Sequence, residues 1–329
     1  MSRLLVEALS GRPTDRTPVW VMRQAGRYLP EYREIRRRVP FQEAVSTPEV
    51  AAEITLQPIE RYGMDGAVIF ADIMTPLEAM GVEMDFAPGP KLGAHSLSEV
   101  ASLPSLDPDR VAFVAETIRL VRQALPEETA VVGFAGAPLT LLAYLVEGGG
   151  SKDFVGLRAA LRRDPGAAEA ALGGLAESMR SYLDMQVEAG ADVVQLFDSW
   201  AGIVDRRTYR AMVAPAARNA LSNLSAPAIY FAPHAVHTLD LQSAVGADCY
   251  GLDWRLELDD GWSRLGSPAV QGNLDPGILL TDETTIVREV GAVMKQAGGR
   301  AGHVFNLGHG IDRNTPPGHV AAMVEAVRS

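Results

Sequence analysis

Two arginines four residues apart, Arg23 and Arg27, flank the small residues Ala25 and Gly26 in the stretch Pro-Val-Trp-Val-Met-Arg-Gln-Ala-Gly-Arg-Tyr-Leu-Pro-Glu-Tyr that runs from Pro18 to Tyr32. A guanidinium fork matches a carboxylate two oxygens at a time, and small residues between two forks let a ligand come close to the backbone. The chemistry this spacing offers is an anion clamp at the end of a short apolar run. The alternative is a surface turn in which both arginines pair with neighbouring acids.

Other reactive types recur along the chain. Asp72, in Phe-Ala-Asp-Ile-Met, is a lone acid among apolar residues and reads either as a site carboxylate or as a helix cap. His309, in Asn-Leu-Gly-His-Gly-Ile, has a glycine on each side, which leaves room for a ligand; the plain alternative is a satisfied loop histidine. Tyr144 lies in an apolar helical pattern, where its hydroxyl needs a partner. His234 and His237, three apart on an expected helix, invite a metal, but the chain has one cysteine and no His-Glu-x-x-His pattern. Gly148-Gly149-Gly150-Ser151-Lys152 lacks the glycine that a phosphate-binding loop places before its lysine, so a flexible turn is expected there. Arg33, Arg36, Arg37 and Arg38 form a solvated helix face, with Glu34 and Arg38 as a spaced pair.

These residues need elements to position them. Eight short, mostly apolar runs read as strands: Val19 to Met22, Ala67 to Phe70, Ala130 to Phe134, Val193 to Phe197, Ala228 to Phe231, Cys249 to Leu252, Ala269 to Gln271 and His303 to Leu307. Continuous apolar runs with long connections indicate parallel strands buried on both faces rather than hairpins. Helices are expected between them, one capped by Thr47, opened by Pro48, kinked at Pro58 and closed by Gly63, another over Val111 to Leu125, and two within Phe154 to Ala189 broken near Asp164. Further helices are expected over Arg206 to Leu221, Ala235 to Val245, Asp282 to Gln296 and Pro317 to Val327, with a short helix or turn around Leu258 to Leu265. The Pro- and Gly-rich segment from Asp72 to Pro108 reads as an insertion or lid after the second strand. Asp72, Asp198 and Ser199, His234, Asp253, Asn273 and Asp275, and His309 each fall just past the carboxyl end of a run. That layout favours one (β/α)8 TIM barrel over residues 1–329, with an open doubly wound sheet as the alternative.

Composition narrows the function. At 47% hydrophobic and 22% charged residues, the 329-residue chain can bury a sizeable core. A net charge of -11 argues against nucleic acid or an anionic membrane as partner, so an anionic substrate must be met by a local arginine cluster. Cys249 alone excludes an intramolecular disulfide and fits a reducing cytoplasm, and neither the opening residues nor Gly133 to Val146 reads as a signal peptide or a membrane span.

The Pro18 stretch and Gly-Phe-Ala-Gly-Ala-Pro-Leu-Thr-Leu-Leu-Ala-Tyr-Leu-Val-Glu-Gly from Gly133 resemble the two signatures of the uroporphyrinogen decarboxylase family. The resemblance continues through Ile-Phe-Ala-Asp-Ile at Ile69, Gln-Leu-Phe-Asp-Ser-Trp-Ala-Gly at Gln195, Gly-Leu-Asp-Trp at Gly251, Gln-Gly-Asn-Leu-Asp-Pro at Gln271 and Phe-Asn-Leu-Gly-His-Gly at Phe305. Leu139 departs from it, where the family usually has an aromatic residue, as do Arg313 and Asn314 after His309. The resemblance implies a single barrel, commonly a homodimer, that uses neither metal nor cofactor and converts the four acetate side chains of uroporphyrinogen III to methyl groups, giving coproporphyrinogen III. Position by position it implies substrate contacts at Arg23, Gln24, Ala25, Gly26, Arg27, Asp72, Tyr144, Ser199 and His309, with Asp72 as the catalytic carboxylate. A methyltransferase-like reading of the same fold would need zinc held by histidine and cysteine, for which Cys249 is a poor start.

Overall fold

The computed structural model describes residues 3–85 and 91–329. Its centre is a parallel sheet of seven strands, interrupted in sequence by a separate two-stranded ribbon. In chain order the strands are β1 (Gly66–Val68), the ribbon pair β2 (Met84–Asp85) and β3 (Lys91–Leu92), then β4 (Ala130–Gly136), β5 (Val193–Phe197), β6 (Ala228–Phe231), β7 (Cys249–Gly251), β8 (Ala269–Gln271) and β9 (His303–Val304). The sheet order is β1-β4-β5-β6-β7-β8-β9, each neighbour parallel to the next. Every residue of β4, β6, β7, β8 and β9 is buried, as expected of strands covered on both faces. The sheet curls: β5 and β8 stand three places apart, yet Gln271 Nε2 donates to Gln195 Oε1 at 3.0 Å. Gln195 Nε2 in turn lies 3.6 Å from Met22 Sδ.

Seven of the eight expected runs carry a strand. Val19 to Met22 makes a single parallel bridge, Val19 with Phe305, and its backbone shows why it does not extend into a ladder. Phe305 N–H donates to the Pro18 carbonyl at 2.9 Å, Trp20 N–H to the Phe305 carbonyl at 3.3 Å, and Asp65 N–H to the Val19 carbonyl at 2.9 Å. The remaining donors go to side chains: Val19 N–H to Asp65 Oδ2 (2.8 Å), Val21 N–H to Gln24 Oε1 (3.0 Å) and Met22 N–H to Asn306 Oδ1 (3.1 Å). Side-chain acceptors replace the carbonyl ladder, so the run satisfies its backbone without regular strand pairing.

The helix Pro48–Tyr62 runs through Pro58 and ends on Gly63 at φ 61°, but Thr47 makes no side-chain cap. The break near Asp164 is present between Val155–Arg163 and Pro165–Glu188, where the Asp164 carboxylate accepts from Ala167 N–H. The expected helix from Arg206 is interrupted by a π-helical turn at Tyr209–Val213, and the span from Ala235 is mostly 3-10. The segment after β1 is more structured than its composition suggests. It contains the helices Thr75–Ala79 and Leu97–Ala101 and the antiparallel β2–β3 ribbon, a hairpin-like pairing that the sequence disfavoured. The Pro- and Gly-rich centre of that segment, residues 86–90, lies outside the described residues. Nor is the Gly148 turn loose. Gly148 closes the helix Pro138–Glu147 at φ 71°, its carbonyl accepts from Leu92 N–H at 3.0 Å, and Gly149 bridges to Lys91.

Candidate functional site

All seven sheet strands point the same way, so the segments that follow them share one rim. The arginine loop is fastened to that rim at both ends. Gln24, fully buried, accepts from Val21 N–H and donates Nε2–H to the Gly66 carbonyl at 2.8 Å, which ties the loop to β1. Ile311 N–H donates to the Met22 carbonyl at 3.0 Å, which ties it to the loop carrying His309. Arg23 stands at φ 65° between these anchors. Any Cβ at Gly310 would lie 2.6 Å from Arg23 Cδ, and one at Gly26 would lie 2.7 Å from the Arg23 carbonyl. Gly26 is therefore required by the turn itself, and Gly310 by the path of the Arg23 side chain. Arg23 and Arg27 are both exposed, and neither makes an ion pair with a described residue. The expected alternative, a turn in which they pair with nearby acids, does not occur among the described residues. Ala25 is half-buried beside them.

Asp72 follows β1 and is partly buried, with Oδ1 accepting from Met74 N–H at 2.8 Å. The carboxylate closes a turn ahead of the helix Thr75–Ala79 and does not cap that helix, whose N-cap is Met74. Burial raises its pKa, and the Met74 N–H and the Arg23 charge offset part of that rise. Tyr144, on the helix that follows β4, is half-buried, and burial likewise raises its phenol pKa, so it stays a donor. Its ring packs edge-on against Trp200 (centroids 6.1 Å apart) and Phe154 (6.5 Å). The charges of both Asp72 and Arg23 reach Tyr144.

Ser199 is half-buried directly after Asp198, and Asp198 is wholly buried. Thr140 Oγ1 donates to Asp198 Oδ1 at 2.9 Å, Tyr230 OH to Oδ2 at 2.7 Å, and Tyr209 OH to Tyr230 OH at 3.1 Å. Thr140 Oγ1 also accepts from Trp200 N–H at 3.2 Å. This network joins the helix bearing Tyr144 to the loop bearing Ser199. Burial pushes the Asp198 carboxyl up to about 6, against the two hydroxyl donors that hold it down.

Past the last strand on the same rim, His309 is half-buried, and burial, Arg23 and His234 push its pKa down to about 4. At neutral pH it is an uncharged imidazole that donates from one nitrogen and accepts at the other. Its ring centroid is 5.8 Å from that of His234. His234 is not on a helix: it stands at φ 62°, and its N–H donates to Asp253 Oδ2 at 2.6 Å. His237 turns away to contact the Val204 carbonyl at 2.9 Å. Among the described residues, no group of three or more His, Cys, Asp or Glu side chains is arranged to hold a metal ion. Cys249 is buried in β7 and its thiol is pushed well up by burial.

Arg23 packs against the His309 loop at Gly310, its charge reaches Asp72, Tyr144 and His309, and Arg27, Ala25 and Ser199 stand on the same rim. Gln24 acts from inside, and its side chain positions the loop without reaching the mouth. The sequence reading passed over Arg255, which bonds Asp253, and Thr140 beneath Ser199. An Asp-x-Arg sequence just past a strand end was the available signal for the first.

A sequence model of the family described as Uroporphyrinogen decarboxylase (URO-D) matches residues 2–329. A protein of Geotalea daltonii named uroporphyrinogen decarboxylase is 42% identical over 99% of this chain and 98% of its own length. One of the same name from Syntrophotalea carbinolica is 44% identical over 98% and 96%. A solved structure described as a methyltransferase from Methanosarcina mazei, 20% identical, superposes with a TM-score of 0.84 over 100% of this chain and 99% of its own, which shows a shared fold. With the family model and these relatives each spanning nearly the whole length, the chain belongs to the uroporphyrinogen decarboxylase family.

Proposed function

We propose that the protein removes carbon dioxide from the four acetate arms of uroporphyrinogen III, giving coproporphyrinogen III in porphyrin synthesis. The observation that carries this reading is the family shared along the whole chain, and it is supported by an arginine loop on the sheet rim whose Arg23 and Arg27 make no ion pair among the described residues. Adding a proton to a pyrrole carbon makes the ring cationic. The bond to the carboxyl group then breaks, its electron pair passes into the ring, and carbon dioxide leaves. A proton taken up by the exposed carbon completes the methyl group, and loss of the first proton restores the pyrrole. The ring is its own electron sink, so the chemistry asks no cofactor of the protein. Asp72 opposes the positive ring and accepts from its N–H groups, while Arg23 and Arg27 hold carboxylates and Tyr144, Ser199 and neutral His309 add hydrogen bonds.

The same reading takes residues 1–329 as one (β/α)8 domain with Val19 to Met22 in the place of an eighth strand. Its support is that this run bonds to Asp65 ahead of β1 and to Phe305 after β9. Residues 72–108 are then an insertion after the second strand. We also assign the protein to the cytoplasm as a homodimer. The buried thiol of its one cysteine suits a reducing compartment, and no helix among the described residues is long and apolar enough to cross a membrane.

Anaerobic incubation of purified protein with uroporphyrinogen III, followed by counting product carboxyl groups, tests the activity. A product with four carboxyl groups supports it, and substrate recovered with all eight defeats it. Sedimentation analysis tests the dimer.

A further inference from the structure

Asp253 is a buried carboxylate, its side chain 2% exposed, and it accepts four hydrogen bonds from three donor nitrogens. Oδ1 accepts from Arg255 N–H and Arg255 Nη1, both at 2.9 Å, and Oδ2 from His234 N–H at 2.6 Å and Arg255 Nη1 at 2.8 Å. Only one nitrogen of the Arg255 fork is used. Nη2 and Nε make no hydrogen bond among the described residues, and the side chain remains 40% exposed. The guanidinium lies over the Trp254 ring, 4.3 Å from its centroid, and Trp254 is 37% exposed, one of few large apolar side chains at the surface. Stacking and the Asp253 bonds fix the plane of the fork in advance.

The loop beneath is equally fixed. Asn273 Nδ2 donates to the Asp253 and Leu256 carbonyls at 3.0 and 2.8 Å, and a Cβ at Gly308 would fall 2.2 Å from Trp254 N. Gly308 precedes His309, so the stacked pair stands beside the site, and the Arg255 charge reaches both His309 and His234. Neutralising Asp253 explains one edge of the fork. It does not explain why the other edge is held rigid and open next to the substrate space.

We propose that Trp254 and Arg255 form a further carboxylate subsite, which takes a propionate arm of the substrate through the free edge of the guanidinium. This rests on the decarboxylase reading. The choice of propionate follows from the reaction: acetates disappear one at a time, whereas four propionates persist, so a rigid holder that serves every step must grip a group present in every pose.

The test compares KM and kcat for Arg255→Gln and Arg255→Lys on two substrates, the octacarboxylate and the pentacarboxylate with one acetate left. Each variant should raise KM about tenfold, and equally on both substrates, because a charge-assisted contact outside the reacting bond contributes to binding more than to turnover. Wild-type KM in both variants would mean that Arg255 serves Asp253 alone. A rise confined to the octacarboxylate would mean that an acetate is held, and wild-type KM in Arg255→Lys with a raised value in Arg255→Gln would mean that charge suffices without the planar fork. Any of these overturns the proposal. Should Arg255→Gln fail to fold, Arg255→Lys keeps a cation beside Asp253 and decides the matter. Inactivity of the wild-type protein on both substrates would instead strike at the decarboxylase reading.

Discussion

The Arg23 charge draws the Asp72 carboxyl down, and burial still outweighs that attraction: the carboxyl titrates above its ordinary value. A carboxylate held charged against its surroundings gains most when a cation arrives. A protonated pyrrole ring is such a cation, and the catalytic assignment rests on that difference between the empty and the reacting site.

Asp72→Asn should fold normally, because the amide oxygen can still accept from Met74 N–H, yet turnover should fall by about 100-fold or more. The wild-type rate should also decline as pH drops through the raised Asp72 pKa, at a pH above the ordinary 3.8, and this acid limb should be absent from the variant. Near-normal turnover by Asp72→Asn would remove the residue from the mechanism.

Lysine should serve poorly at either arginine. Replacing the planar fork by a point charge at Arg23 or Arg27 should lower kcat/KM by about one to two orders of magnitude, the loss of a hydrogen bond to a charged group. Measurement at two salt concentrations separates geometry from field, because a field effect weakens with salt and lysine would preserve it. Wild-type values for both variants would end the clamp assignment.

Asp198 makes stability depend on pH in an unusual direction. Its folded pKa of about 6 exceeds the ordinary 3.8, so its contribution is fully present below that ordinary value and is lost as pH rises through about 6. The shift corresponds to roughly 3 kcal/mol. Urea unfolding at pH 4.5, 5.5 and 7 should show this component in the wild type and not in Asp198→Asn. Identical pH profiles would mean that the carboxyl does not titrate in this range.

Gly308→Ala should separate the two rim loops. The added methyl would sit 2.2 Å from Trp254 N, a backbone atom fixed by its neighbours, so the cost should be about 1–3 kcal/mol of stability, together with a loss of activity through His309. A lower urea midpoint with reduced kcat/KM is the expected result. Wild-type behaviour would show that the loops are free to part.

Much of this was legible in the sequence. The strands of the sheet lie in apolar runs, and the side chains at their carboxyl ends, Asp72, Ser199 and His309 among them, meet on one rim. What failed to show depends on partners distant in sequence. Val19 to Met22 has a strand's composition, yet its donors are claimed by Asp65, Gln24 and Asn306, which no local pattern reveals. The helix from Arg206 breaks into a π turn at Tyr209, whose hydroxyl reaches Tyr230 in the core. His234 leaves the helical pattern because Asp253, nineteen positions on, holds its N–H.

The fastening of the arginine loop also bears on how the molecule is made. Met22 is held by Asn306 and Ile311, so the arginine loop cannot reach its final form until those residues have left the ribosome. Pairing ends that lie 284 positions apart is slow relative to local helix formation. A nascent chain therefore carries helices and sheet before it carries the finished arginine loop, and fragments ending before Asn306 should leave that loop unformed however well their remaining elements fold.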